Sequence, residues 1–220
     1  MPRPSQGIDQ ALLRSGLALL PQLGCSGLSV RRVAEHAGVN PAMFHYHFGS
    51  KAAFLRTLLQ QLYEELFDQL SAGAARQGPA LDRLREALVA LGRFVRDHRA
   101  LAGRLAIDAA SGETVVHDFV RANAPRHLGL LLKLMAEAEA EGALTAGLPM
   151  QRFVFVMGAV VSPLLVAPGV AALKVAPQLV GRQLEEQVLS DEAIEQRVRL
   201  ALAALSGHAG EPARKTRNKR

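Results

Sequence analysis

The chain has 220 residues, 49% of them hydrophobic and 21% charged, which is enough apolar material for a sizeable core, so disorder is not the default expectation. Its one cysteine, Cys25, excludes an intrachain disulfide framework or a multi-cysteine zinc site and suits a reducing cytoplasm. The net charge of +6 sits at the two ends: residues 1–51 hold five Lys/Arg against Asp9 and Glu35, and residues 206–220 hold five against Glu211, so a polyanion is expected at the head and another task for the near-neutral body.

The first ten residues, MPRPSQGIDQ, lack the apolar run of a secretory signal. Apolar residues at Ile8, Leu12, Leu13, Leu17, Leu20 and Leu23 then predict a first helix closing at Gly24, with Pro21 fraying or bending its last turn. Ser29 is the expected N-cap of a second helix running to Ala37, with Gly38 in the left-handed closing position. Asn40 as cap and Pro41 at the first helical position open a third helix. It cannot pass Phe48-Gly49-Ser50, and Ser50 caps a long amphipathic fourth helix carrying Leu55, Leu58, Leu59, Leu62, Leu66 and Leu70.

A fifth helix with Leu81, Leu84, Leu88, Leu91 and Val95 follows Gly78-Pro79. Helices are predicted over 100–110, 113–122 and 125–141, the last two readable as one element kinked across Pro125. Residues 153–173 contain no charge and are long enough for a membrane span. However, Pro163, Pro168, Gly158 and Gly169 interrupt them and no basic cluster flanks them. The expected element is therefore a helix from Pro149 to about residues 167–169, buried in a subunit interface rather than in a membrane. Residues 170–189 read as a loop with a short helix, and the last helix runs from Ser190 to Leu205. No segment alternates β-branched and polar residues, so the expected class is all-α.

The two short helices joined by Gly38-Val39-Asn40 make a helix-turn-helix, whose second helix lies in a DNA major groove. This explains why GVNPAMFHYHFGSK, residues 38–51, gathers His45, Tyr46, His47 and Lys51: flat and polar groups face bases while basic ones fasten to phosphates. A metal site is not expected, because residues two apart on a helix point roughly 200° away from each other. No nucleophile-and-base arrangement and no glycine-rich phosphate loop occurs, so neither an enzyme nor a cofactor is predicted. Cys25, Val33, Ala34, Val39, Phe44 and Phe48 read as core, and Tyr46 as ring inward with its hydroxyl outward.

Residues 8–60, and above all GLSVRRVAEHAGVNPAMFHYHFGSKAAFLRTLL at 27–59, resemble the DNA-binding domain of the TetR/AcrR family of bacterial transcriptional regulators. The resemblance implies that Ser29 caps its helix and offers a phosphate contact, and that Arg31 reaches a guanine edge or a phosphate. It places Pro41, Ala42 and His45 at base-facing positions, and Met43, Tyr46, His47 and Lys51 at backbone contacts. Met43 has no donor for that task, and His47 reads equally well as a packed histidine.

The resemblance also implies a domain plan: a DNA-binding domain over 1–51, a helical effector-binding and dimerisation domain over 52–206, and a basic tail over 207–220. The tail is either a solvated terminus or a nonspecific nucleic-acid contact, and Arg3 either a minor-groove contact or a free end. The implied protein is a cytoplasmic homodimer that binds palindromic double-stranded DNA, as a repressor, until a small lipophilic effector shifts the long helix beginning at Ser50. Candidate effector-site residues are Phe94, Leu105, Asp108, Phe119, Leu131, Met135 and Met157. Val156, Val160, Leu164, Leu200, Leu202 and Leu205 are the candidate dimer surface. Alternatives are the same fold without an effector, as an activator or under partner control, and an enzyme or lipid carrier using Asp108, His117 and His127.

Overall fold

The computed structural model describes residues 4–172 and 182–206, and these residues contain no β-strand. The helices are α1 (Pro4–Gly27), α2 (Val30–Ala37), α3 (Pro41–Phe48), α4 (Lys51–Ala74), α5 (Ala80–Asp97), α6 (Arg99–Ala110), α7 (Thr114–Ala140), α8 (Pro149–Val160) and α9 (Ser162–Ala172). A π-helical segment, Glu185–Leu189, leads into α10 (Asp191–Ser206). The basic tail and Arg3 lie outside the described residues, as do residues 173–181 of the stretch expected to be a loop.

Local signals place the N-terminal elements. The Ser29 hydroxyl accepts from the Arg32 amide at 3.3 Å and the Asn40 side chain from the Ala42 amide at 2.8 Å. Gly38 closes α2 in the left-handed region with φ 68° and ψ 29°, where a Cβ would be penalised. Ser50 caps α4 by accepting from the Ala53 amide at 3.1 Å. Gly24 interrupts α1 rather than ending it: its φ of 69° and ψ of 175° make a kink, after which the chain makes one more turn to Gly27.

Compactness divides the chain into two units. The described residues up to Asp68, with Phe94–His127, form the first. Its core joins Leu12, Leu20, Cys25, Leu28, Val33, Ala34, Phe44, Phe54, Leu55 and Leu58, all at most 1% exposed, with Val39 and Phe48 packed against them. Phe44 and Phe48 each lie about 5 Å from Phe54, ring centre to ring centre. This is edge and tilted packing that adds to the burial of each ring.

Gln69–Arg93 and the described residues from Leu128 onward form the second unit. Here the sequence reading needs correction. Val161 alone separates α8 from α9, because Pro163 cannot continue a helix and instead suits the first turn of a new one. Taken together, Pro149–Ala167 is long and apolar enough, by length and composition, to cross a membrane, yet Arg152, Val156, Val160 and Leu164 along it are buried within the chain. α9 continues through Pro168 to Ala172 instead of ending at residues 167–169.

The proposed dimer surface is also reversed. Val156, Val160 and Leu164 are completely buried within the chain, Leu202 nearly so, and Leu205 half-buried. Of that set only Leu200 is exposed. The exposed apolar residues are instead Leu148, Met150, Val154, Phe155 and Val166, together with Leu200. A helix apolar on every side carries no sequence signal for which face turns inward.

Candidate functional site

On α3, Pro41, Ala42, His45 and Tyr46 are exposed while Phe44 is buried. Positions 41, 42, 45 and 46 share one helix face, so the fold presents the three expected base-facing residues together. Tyr46 joins them: its ring is 76% exposed and does not pack inward as expected, because it stands two residues from Phe44, on the opposite side of the helix. Met43 and His47 are half-buried at the edge of this face. The Nε2 of His47 is buried without a partner.

The charged groups are held by local contacts. The Nδ1 of His45 lies 3.1 Å from the Gly49 carbonyl oxygen. A carbonyl only accepts, so Nδ1 carries the proton and Nε2 is left as an acceptor in the neutral ring. Arg31 pairs with Glu35 at 2.6 Å on the exposed side of α2. The ammonium of Lys51 donates to the Ser26 carbonyl at 3.0 Å, which leaves it two further donors. His36 escaped the sequence reading; its Nδ1 meets the Ser15 hydroxyl at 3.0 Å and ties α2 to α1.

The same unit contains an apolar cavity of about 220 Å³, lined from α4, α6, α7 and the end of α5. Of the expected effector residues, Phe94, Leu105 and Phe119 line it. Leu59, Leu62, Tyr63, Leu66, His98, Leu101, Ala102, Val120, Asn123, Ala124 and His127 complete most of the wall. Leu131 and Met135 are buried in the second unit and Met157 is half-buried there, so none of the three lines it. Periodicity identifies inward faces but carries no signal for where facing side chains leave a gap.

The polar groups on the wall bond to the protein itself. Tyr63 donates its hydroxyl proton to the Asn123 carbonyl at 2.8 Å and lies 3.3 Å from Nδ1 of His127. The Asn123 and Gln60 amides pair reciprocally at 3.0 and 3.1 Å. The His98 ring stacks on Phe94 and directs Nδ1 to the Phe94 carbonyl. Burial pushes His127 below its ordinary pKa and Tyr63 above its own, so both favour the uncharged form.

Asp108 does not line this apolar cavity. It is 4% exposed, accepts from the Cys25 amide at 2.7 Å, and holds Arg104 through two contacts of 3.0 Å. The Arg104 guanidinium lies over Gly24, where a Cβ would stand 2.2 Å from it; the flexible arginine could yield, so the need for glycine at position 24 comes from its positive φ. The carboxylate thus satisfies an amide that the α1 kink leaves free, and it fastens α1 to α6. Burial, and then the neighbouring Asp108, push the Cys25 thiol up to about 12.

The family model described as bacterial regulatory proteins, tetR family, matches residues 12–58, the segment that builds this head. An HTH-type transcriptional regulator, BetI 2, of Chromohalobacter salexigens is 30% identical over 63 residues, 29% of this chain and 30% of that protein. The class C tetracycline repressor protein of Escherichia coli is 38% identical over 53 residues, 24% of each chain. These alignments therefore span less than a third of the curated relatives. Over nearly the whole length the fold is similar to that of the transcriptional regulator FadR from Bacillus subtilis, solved in complex with stearoyl-CoA. That likeness has a TM-score of 0.69 at 12% identity, over 90% of this chain and 99% of that one. The capped α2, the α3 face with its exposed His45 and the match over 12–58 coincide, and residues 12–58 are a DNA-binding domain of the tetR family of bacterial regulatory proteins.

Proposed function

We propose that the chain is a cytoplasmic, dimeric transcriptional repressor that grips double-stranded DNA through α2 and α3 and releases it when a small molecule fills the cavity of the first unit. One observation carries this reading: α6 does both jobs. Leu101, Ala102 and Leu105 form part of the cavity wall, while Arg104 and Asp108 on the same helix hold the α1 kink at Gly24 and Cys25. A ligand that moves α6 must therefore move α1, or break a buried, charge-assisted contact. Binding at the cavity and binding at the DNA face are then linked, each weakening the other by the same factor. The stearoyl-CoA held by the Bacillus subtilis fold relative supports a small-molecule effector as a class.

DNA contact divides along the same lines. Pro41 and Ala42 meet apolar base surface such as thymine methyls, and His45 and Arg31 meet base edges. Ser29, Tyr46, His47 and Lys51 contact the backbone, which sets register and affinity without reading sequence. The exposed set Leu148, Met150, Val154, Phe155, Val166 and Leu200 supports pairing of two copies, since one chain leaves this apolar surface wet. Selection of bound fragments from random DNA by the full chain tests the reading. The expected product has two inverted half-sites spaced by about one helical turn, or a multiple of it. Recovery of no preferred sequence, or of a single half-site bound by a monomer, overturns it.

A further inference from the structure

The cavity wall differs in chemistry from the rest of the first unit's surface: none of its lining residues is Lys, Arg, Asp or Glu. Arg126, next in sequence to the wall residue His127, is already committed. It holds Glu64 through two contacts of 2.6 and 2.9 Å, and its guanidinium lies 4.2 Å from the Phe67 ring centre. The acid on α6, Asp108, is committed to Arg104 and the Cys25 amide. The wall amide of Asn123 is closed on Gln60 and on the Phe119 carbonyl. A charged group held against this wall would give up much of its water and meet no opposite charge among the lining residues.

Size narrows the occupant further. A closed apolar cavity of about 150 Å³ takes one benzene; the cavity here, about 220 Å³ and open on the side of Val120, takes within its apolar wall one or two rings, or a branched chain of similar bulk.

We propose that the ligand of this cavity is a small, uncharged lipophile, and that carboxylates and ammonium ions of the same shape are rejected. This rests on the reading of the cavity as the effector site. The burial that keeps the His127 imidazole uncharged agrees with it, since the ring then supplies no cation to an anionic ligand.

The experiment uses the full-length chain and three probes of one shape: naphthalene, 2-naphthoate and 2-naphthylmethylamine, the last an ammonium ion at pH 7.5. Calorimetry reads binding, and fluorescence anisotropy of a selected DNA fragment reads release. Naphthalene should bind at least roughly 100-fold more tightly than either ion, as an unpaired buried charge requires. Binding of either ion as tightly as naphthalene, or the failure of all three to bind, overturns the proposal. If naphthalene binds and the ions do not, yet DNA affinity stays unchanged, the ligand class stands and the effector reading falls. Ala102→Phe fills the cavity and should abolish naphthalene binding. Should that variant lose its helical circular dichroism, Val120→Trp at the half-exposed side of the wall serves instead. Undiminished binding in a folded variant would place the probe elsewhere and sink the idea.

Discussion

His45 and Lys51 stand six residues apart and should contribute differently to DNA binding. With Nδ1 donating to the Gly49 carbonyl, Nε2 of His45 is the ring nitrogen left to meet a base edge in the major groove. His45→Ala should therefore cost ~1–3 kcal/mol on the preferred site and relax preference at one or two base pairs, while nonspecific affinity hardly changes. Equal losses on specific and nonspecific DNA would make His45 a backbone contact and leave base reading to Arg31. Lys51 keeps two donors beyond the Ser26 carbonyl. Lys51→Ala should weaken binding to all sequences alike and lower the salt slope by ~1 in a titration from low to moderate salt. A change in sequence preference on Lys51→Ala would contradict this division.

At the scale of elements, α6 invites the most direct test. Asp108→Ala leaves the Cys25 amide buried without an acceptor, a loss of roughly 1–3 kcal/mol, seen as a melting temperature lower by several degrees. Asp108→Asn keeps an acceptor and should retain most of the stability. In both variants the effector should still bind, but DNA release should be blunted, because the link from α6 to α1 is weakened. Full release by an effector in a folded Asp108→Ala protein would show that coupling runs by another route, such as α4.

Which elements the sequence revealed follows from the range of the forces involved. α2, α3 and the start of α4 are set by contacts within a few residues: the Ser29, Asn40 and Ser50 caps and the left-handed Gly38. Each has a residue-type signature, so the helix-turn-helix was readable. The Asp108–Cys25 contact joins residues 83 apart and has no local signature; the same carboxylate therefore read as a ligand group. The break at Val161, two residues before Pro163, has a signature in that proline, but two prolines in an apolar run leave its position undetermined. The inward faces of α8 and α10 depended on neighbours that periodicity cannot name. Tyr46 was misjudged because an aromatic residue beside a phenylalanine-rich core is usually packed, and here it stands on the outer face.

For the whole molecule, burial separates two kinds of variant. Leu200→Arg or Val154→Arg places charge on exposed apolar surface and should turn a dimer into a folded monomer in sedimentation, with loss of paired half-site binding. Val160→Arg buries an unpaired cation beside Leu164 and Val156 in a fully enclosed position, so it should unfold the second unit instead of merely separating subunits. A Val160→Arg protein that melts like the wild type would show that the inward face has been misassigned.

Cys25 is pinned behind the α1 kink, and that placement bears on its reactivity. It is the chain's one sulfhydryl, is completely enclosed, and holds its proton up to about 12. Peroxides and electrophiles attack the thiolate form, and here that form is scarce and shielded. The thiol at the joint between α1 and α6 is therefore a poor target for such reagents.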